Sequence, residues 1–356
     1  MKHTNDMAVP RKVLIVDDSA AIRAVLKHAL SRDPRLKVVG EAADAYEARA
    51  LIKHLNPDVL TLDVEMPRMS GLDFLERLMR LRPTPVVMFS SVTQSGSANA
   101  VRALSLGAFD VLAKSTNGIG QSDLVLLCNA VANARVNTGK SRSDVWKPST
   151  RGADTPEVPD MARKWGGEAI LIGASTGGVA AIEKLLATMP CNAPPIVVSQ
   201  HMPAAFLNSF CTRLGHLFPQ NVQLAEEGLE LKPGHIFVSP GGLYHTGVAQ
   251  RAGKMYCTLI DKPKRNGHCP SVDELFFSSE SFAKRIHAVI LTGLGRDGAE
   301  GMKALHDKGA HCIAQDSDSC VVYGMPRAAV ELGGVDEQVP LENMSELVCA
   351  PVRGKL

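Results

Sequence analysis

The chain has 356 residues, 45% hydrophobic and 21% charged, with 39 Lys and Arg against 37 Asp and Glu. At about 150 residues per domain that length predicts two domains, each able to bury its own core, and the ordinary apolar content excludes wholesale disorder. A formal charge of +2 gives no global attraction to nucleic acid or an anionic membrane, and aromatics at 4% disfavour a base-stacking surface.

The apolar runs are strand-sized, far short of the roughly 20 residues of a spanning helix. Met1 to Arg11 is polar and lacks the apolar stretch of a signal peptide. Eight cysteines include no C-x-x-C pair, so neither a zinc ribbon nor a disulfide framework is indicated. The expectation is a cytoplasmic protein with no nucleic-acid partner and no membrane insertion.

In chain order, KVLIV from Lys12, LKVVG from Leu36, DVLTL from Asp58, PVVMFS from Pro85 and DVLA from Asp110 read as strands. Amphipathic stretches such as IRAVLKHAL and GLDFLERLMRL lie between them. Five β–α repeats predict an α/β domain over 11–136 with a five-stranded parallel sheet. Residues 137–167 are rich in Ser, Thr, Pro, Gly and charge without apolar periodicity, and read as a linker. They hold both tryptophans, Trp146 and Trp165. Either Trp165 simply precedes the next strand, or the linker lies against a domain face.

From 168 to 350 the alternation resumes with AILIG, GVAAIEKLLATM, PPIVVSQH, AVILTG, AEGMKALHDKG and HCIAQ. This predicts a second doubly wound α/β domain. HIFVSPG and MYCTLID, shorter and bounded by turns, read as a small β insertion within it. No solenoid repeat is present.

Ligands of open parallel sheets bind beyond the carboxyl ends of the strands. In the first domain Asp17 and Asp18 end one strand, Asp63 another, and Ser90 and Lys114 two more. Clustered carboxylates repel, and hard oxygen ligands suit Mg²⁺ completed by phosphate oxygens. The pattern points to a phosphoryl acceptor. Asp63 is the nucleophile, Asp17 and Asp18 join it around Mg²⁺, and Ser90 and Lys114 contact the phosphoryl oxygens.

In the second domain AILIG runs into Ala174-Ser175-Thr176-Gly177-Gly178 and a helix, and 173–177 satisfy G-x-S-x-G. A Ser on such a turn exposes its hydroxyl beside helix N–H groups, although Ser is equally a favoured helix N-cap. His201 follows the next strand. Asp297 follows a later one, and its alternative is again an N-cap. Together they supply nucleophile, base and orienter. The chain order Ser, His, Asp departs from that of α/β-hydrolases. A competing reading takes Gly293–Gly298, a G-x-G-x-x-G, with Asp316 or Asp318 as a dinucleotide site. It leaves Ser175 and His201 without a role and sets Asp297 against a pyrophosphate.

VDDS and D-V-E-M-P-R-M-S-G-L-D-F-L from Asp63 resemble the receiver domain of response regulators, which implies a flavodoxin-like fold. Ser115 stands where receivers usually have Pro, and Val111 where many carry a switch aromatic. GASTGG, SQHMP, NGHCPSVDELF, TGLGRDG and AQDSDSCVVYGMP resemble the catalytic domain of the chemotaxis methylesterase family. Leu294 replaces a commoner Met, and Cys269 a frequent Arg.

The resemblance implies a phosphorylation-activated serine hydrolase with Ser175 as nucleophile, His201 as base and Asp297 as orienter, and with backbone N–H groups of Thr176 and Leu294 as donors to an oxyanion. It would act on glutamyl methyl esters of chemoreceptors and release methanol. It also implies deamidation of receptor glutamines, a chemotaxis histidine kinase as phosphodonor, and an unphosphorylated receiver that covers the Ser175 crevice. Mg²⁺ is implied for receiver phosphorylation and no cofactor for ester hydrolysis.

Overall fold

A computed structural model describes residues 9–91, 94–114, 121–135 and 168–350. The expected linker, with Trp146 and Trp165, lies outside the described residues, as does Ser115. The chain separates into two compact units, Met1–Thr138 and Gly139–Leu356.

The first unit alternates β1 (Arg11–Val16), α1 (Ala20–Leu30), β2 (Leu36–Ala42), α2 (Ala45–Leu55), β3 (Val59–Asp63), α3 (Gly71–Leu81), β4 (Val86–Ser91), α4 (Gln94–Ser105), β5 (Asp110–Lys114) and α5 (Gln121–Asn133). The strands pair in parallel in the order β2-β1-β3-β4-β5, one of the two common doubly wound arrangements. Val13–Val16 and Val59–Leu62 are fully buried, as strands covered on both faces require. Ser19, Asp44 and Ser70 cap α1, α2 and α3, each accepting a first-turn N–H. At Gly71 a Cβ would lie 1.8 Å from the Asp63 carbonyl oxygen, so α3 starts against the end of β3 only because residue 71 has no side chain. Val111 is buried in β5.

The second unit contains β6 (Ala169–Ala174), α6 (Gly178–Leu186), β7 (Ile196–Gln200), α7 (Ala204–Leu217), β8 (Asn221–Leu224), β9 (His235–Val238), β10 (His245–Arg251), β11 (Lys254–Ile260), α8 (Val272–Phe277), β12 (Ile286–Ile290), α9 (Ala299–Asp307), β13 (His311–Gln315), α10 (Met325–Glu331), β14 (Glu337–Val339) and α11 (Met344–Cys349). Seven strands form one parallel sheet in the order β14-β13-β12-β6-β7-β9-β8. The small antiparallel insertion is the hairpin β10–β11, closed by Ala252 and Gly253, both at positive φ.

The expected place of HIFVSPG is corrected. It is β9, a strand of the main sheet between β7 and β8, rather than part of the insertion.

The chain leaves β6 toward β7 on one side, while β12 leads to β13 on the other. Between β6 and β12 the strand order reverses, and it is at the carboxyl ends beside such a switch point that open α/β sheets bind their ligands.

Candidate active site

Ser175 is the first residue beyond β6, and its N–H donates to the Thr292 carbonyl at 3.0 Å. The N-cap of α6 is Gly177, at φ 79, with no side-chain cap, so the Ser175 hydroxyl is not spent on the helix. The fit is close at Gly293: a Cβ there would meet the Ser175 Cβ at 2.7 Å and the Met325 Sδ at 2.3 Å. The Gln200 amide donates to the carbonyls of Ser175 at 2.9 Å and His201 at 3.3 Å, tying two strand ends together.

The His201 N–H donates to the Ala174 carbonyl at 3.0 Å, which extends the β6–β7 register past the strands. His201 thereby stands beside the Ser175 turn. Its Nε2 lies 2.7 Å from Asp297 Oδ2, with both side chains buried. A carboxylate at Nε2 sets the tautomer with the proton there and leaves Nδ1 bare. Nδ1 is buried and has no hydrogen-bond partner among the described residues.

Asp297 does not cap α9, whose N-cap is Gly298 with φ 89. Its carboxylate takes Ser271 Oγ–H at 2.8 Å, Val272 N–H at 2.7 Å and Asn266 Nδ2–H at 3.4 Å. Burial works to raise its pKa, but the His201 hydrogen bond and charge and these donors outweigh it and hold the carboxyl well below the usual range. Asp273 lies alongside and is pushed up to about 6, chiefly by burial and then by the Asp297 charge, against a hydrogen bond from the Gly301 N–H. A carboxylate turned inward onto the first N–H groups of α8 is ill placed for a pyrophosphate, which disfavours the dinucleotide reading.

Thr292 Oγ1 donates to the Thr176 carbonyl at 3.0 Å and accepts from the Val322 N–H at 2.8 Å, so it fixes the loop behind Ser175. The Gly293 N–H donates to the Val322 carbonyl, and the Gly293 carbonyl accepts from Met325. The next amide, that of Leu294, has no acceptor among the described residues.

Sequence reasoning singled out Ser175, His201 and Asp297, and the structure brings their strand ends to one rim. It gave no role to Ser271, Asn266, His268, Gln200 or Thr292, although each lies in a stretch quoted for the family resemblance. Apart from those stretches, the local signal was Asn266-Gly267, a hairpin dipeptide that places a tight turn next to the site.

The first unit gathers its acids as expected. One carboxylate oxygen from each of Asp17, Asp18 and Asp63 lies within 4.8 Å of the others. Asp17 and Asp63 are buried and Asp18 is exposed. Asp17 accepts the Ser19 N–H, and Arg23 braces the loop through the carbonyls of Asp17 and Asp18. Three hard oxygen donors with two of them buried fit a small divalent cation such as Mg²⁺. Ser90 and Lys114 end β4 and β5, and their side chains lie outside the described part.

The CheB methylesterase family matches residues 170–348, and the response regulator receiver domain matches 13–124. Protein-glutamate methylesterase/protein-glutamine glutaminase 1 of Caulobacter vibrioides is 44% identical over 342 residues, 95% of this chain and 96% of that one. A like-named protein of Burkholderia lata is 47% identical over 348 residues, 95% of each chain. The crystal structure of the Thermotoga maritima CheB methylesterase catalytic domain is similar with TM-score 0.50 and 36% identity, covering 52% of this chain and 98% of that one. The alignments to the Caulobacter and Burkholderia proteins run over nearly the whole length of each, and the chain belongs to the CheB methylesterase family, with a response regulator receiver domain ahead of its esterase domain.

Proposed function

We propose that this chain is a receiver-controlled serine hydrolase that removes methyl esters from glutamate side chains of chemoreceptors and deamidates receptor glutamines. Ser175 is its nucleophile, His201 its base and Asp297 its orienter. One observation carries the reading: a buried His201 bound through Nε2 to Asp297 at 2.7 Å, with a bare Nδ1 at the strand end beside Ser175.

His201 Nδ1 takes the proton of Ser175 Oγ as that oxygen bonds to the ester carbonyl carbon. Charge develops on the carbonyl oxygen, and the backbone N–H groups of Thr176 and Leu294 are the donors we assign to it, each worth roughly 10²–10³ in rate. As the intermediate collapses, the Nδ1 proton passes to the departing methoxide, which leaves as methanol. Water then gives a proton to Nδ1 and attacks the acyl-enzyme, and Ser175 leaves reprotonated with a free glutamate behind it. For glutamine the leaving group is ammonia and the rest is unchanged. Asp297 stays ionised throughout, because its donors are fixed before His201 takes the proton.

In the receiver, Asp63 is the phosphoryl acceptor, with a chemotaxis histidine kinase as donor. Asp17, Asp18 and Asp63 would hold Mg²⁺, which when bound neutralises charge on the transferring phosphoryl oxygens. Ser90 and Lys114 complete the phosphoryl contacts. None of the described helices is long and apolar enough to cross a membrane, which accords with action from the cytoplasm. Methanol release from methylated receptor membranes, with and without acetyl phosphate, tests the reading. Release that depends on Ser175 and rises with the phosphodonor is expected; an inert wild-type chain removes the proposal.

A further inference from the structure

The ring of His268 lies flat on the ring of His201, with centroids 3.8 Å apart and planes within 4°. The chain around it is anchored on both sides. Arg265 and His268 exchange backbone hydrogen bonds of 3.1 and 2.9 Å across Asn266 and Gly267, at φ 51 and 84, as a two-residue hairpin turn of this hand requires. Arg265 is pinned by Asp273, Glu274 and Glu300. Asn266, two residues before His268, reaches Asp297, and so does Ser271, three residues after it. One short segment therefore grips the orienter with two side chains and faces the base with a third.

We propose that His268 is a positioning residue for ester hydrolysis, its ring holding His201 in register with Ser175 and steadying the positive charge that His201 takes up. The inference rests on the hydrolase reading above. With Nδ1 unpartnered, His201 is held by a single side-chain hydrogen bond at Nε2, which leaves the ring free to pivot about that contact. A flat surface against its face removes that freedom without occupying Nδ1. The same surface suits the reaction's charge, because a cation is attracted to the face of a neutral aromatic ring and repelled by a second cation. His268 meets that condition: burial first, and the neighbouring His201 second, push its pKa down to about 4, so it is neutral near pH 7.

The test uses the full chain and methylated receptor membranes, comparing wild type with Ser175→Ala, His268→Ala, His268→Leu and His268→Phe. Loss of the stacked face lets the base drift, and misplacement near 1 Å costs up to about 10²-fold. His268→Ala and His268→Leu are expected to lose ~10–100-fold in kcat with KM unchanged. His268→Phe keeps the face and stays within about threefold of wild type, the scale of a cation–π difference. Should the alanine variant fail to fold by circular dichroism, the Leu and Phe pair decides. Leucine turnover equal to wild type, phenylalanine as impaired as leucine, or a change confined to KM would each overturn the proposal. An inert wild type, or an unimpaired Ser175→Ala, would instead remove the hydrolase reading beneath it.

Discussion

Each unit places aspartates beyond the carboxyl ends of parallel strands, yet their surroundings differ. In the receiver, Asp17, Asp18 and Asp63 bring carboxylate oxygens within 4.8 Å of one another. In the esterase domain Asp297 receives hydrogen bonds from His201, Ser271 and the Val272 N–H. Asp273 beside it is pushed up to about 6, chiefly by burial and then by the Asp297 charge. The same residue type at the same topological position thus meets two different environments. Accumulated charge suits a cation and a phosphoryl group, whereas charge already met by fixed donors suits orienting a histidine.

Substitutions can break that contrast, beginning with the largest effect. Ser175→Ala should fold normally and lose at least ~10⁴-fold in methanol release, since members of such a triad act as a unit. Asp297→Asn keeps the shape but offers an amide to His201 Nε2, favouring the wrong tautomer. A loss of ~10³–10⁴ in kcat is expected, measured on the same membranes. Binding of a nicotinamide dinucleotide by the wild type, lost in this variant, would revive the competing reading of Gly293–Gly298. In the receiver, Asp63→Asn should leave basal turnover intact while abolishing acetyl phosphate labelling. It should also abolish stimulation by that donor, of the order of 5–150-fold for a typical coupling. Acid-stable phosphorylation persisting in the variant would move the acceptor to a Ser or Thr.

Much of this arrangement is legible in the sequence, for reasons that differ by element. Buried parallel strands are unbroken apolar runs, so AILIG and PPIVVSQ declare both themselves and the residues that follow them. Ser175 and His201 were readable because they stand directly at those ends. Asp297 was readable only through its glycine-rich loop, seven residues past Ile290. HIFVSPG was misplaced because periodicity gives a strand's existence and not its neighbours; its pairing with β7 is a long-range choice. His268 lay in NGHCPSVDELF, a stretch that carries the family resemblance, but no role could be read for it there. Nothing local distinguishes a histidine that will stack on another 67 positions earlier in the chain from one on a solvated loop.

The smallest expected effect concerns stability and isolates His268. An unfolded histidine takes up a proton near 6.5, while the folded ring does so only near 4. Between those values the unfolded state binds more protons, so stability falls as pH drops from about 6.5 to 4 and changes no further below it. The full loss is about 3 kcal/mol at 1.36 kcal/mol per pH unit. Asp273 acts in the opposite sense. Its folded pKa, about 6, lies above its unfolded value, so the folded state gains relative stability as pH falls through the same window. The two trends offset each other in the wild type, and its stability should change little between pH 6.5 and 4.5 on their account. His268→Phe removes one of them. Urea unfolding of the esterase transition at both pH values should then show the variant gaining on the wild type by ~2–3 kcal/mol as the solution is acidified. Parallel curves for the two proteins would mean that the folded ring takes up its proton at the ordinary histidine value, so that the neutral face beneath His201 would be lost already on acidification below about 6.5.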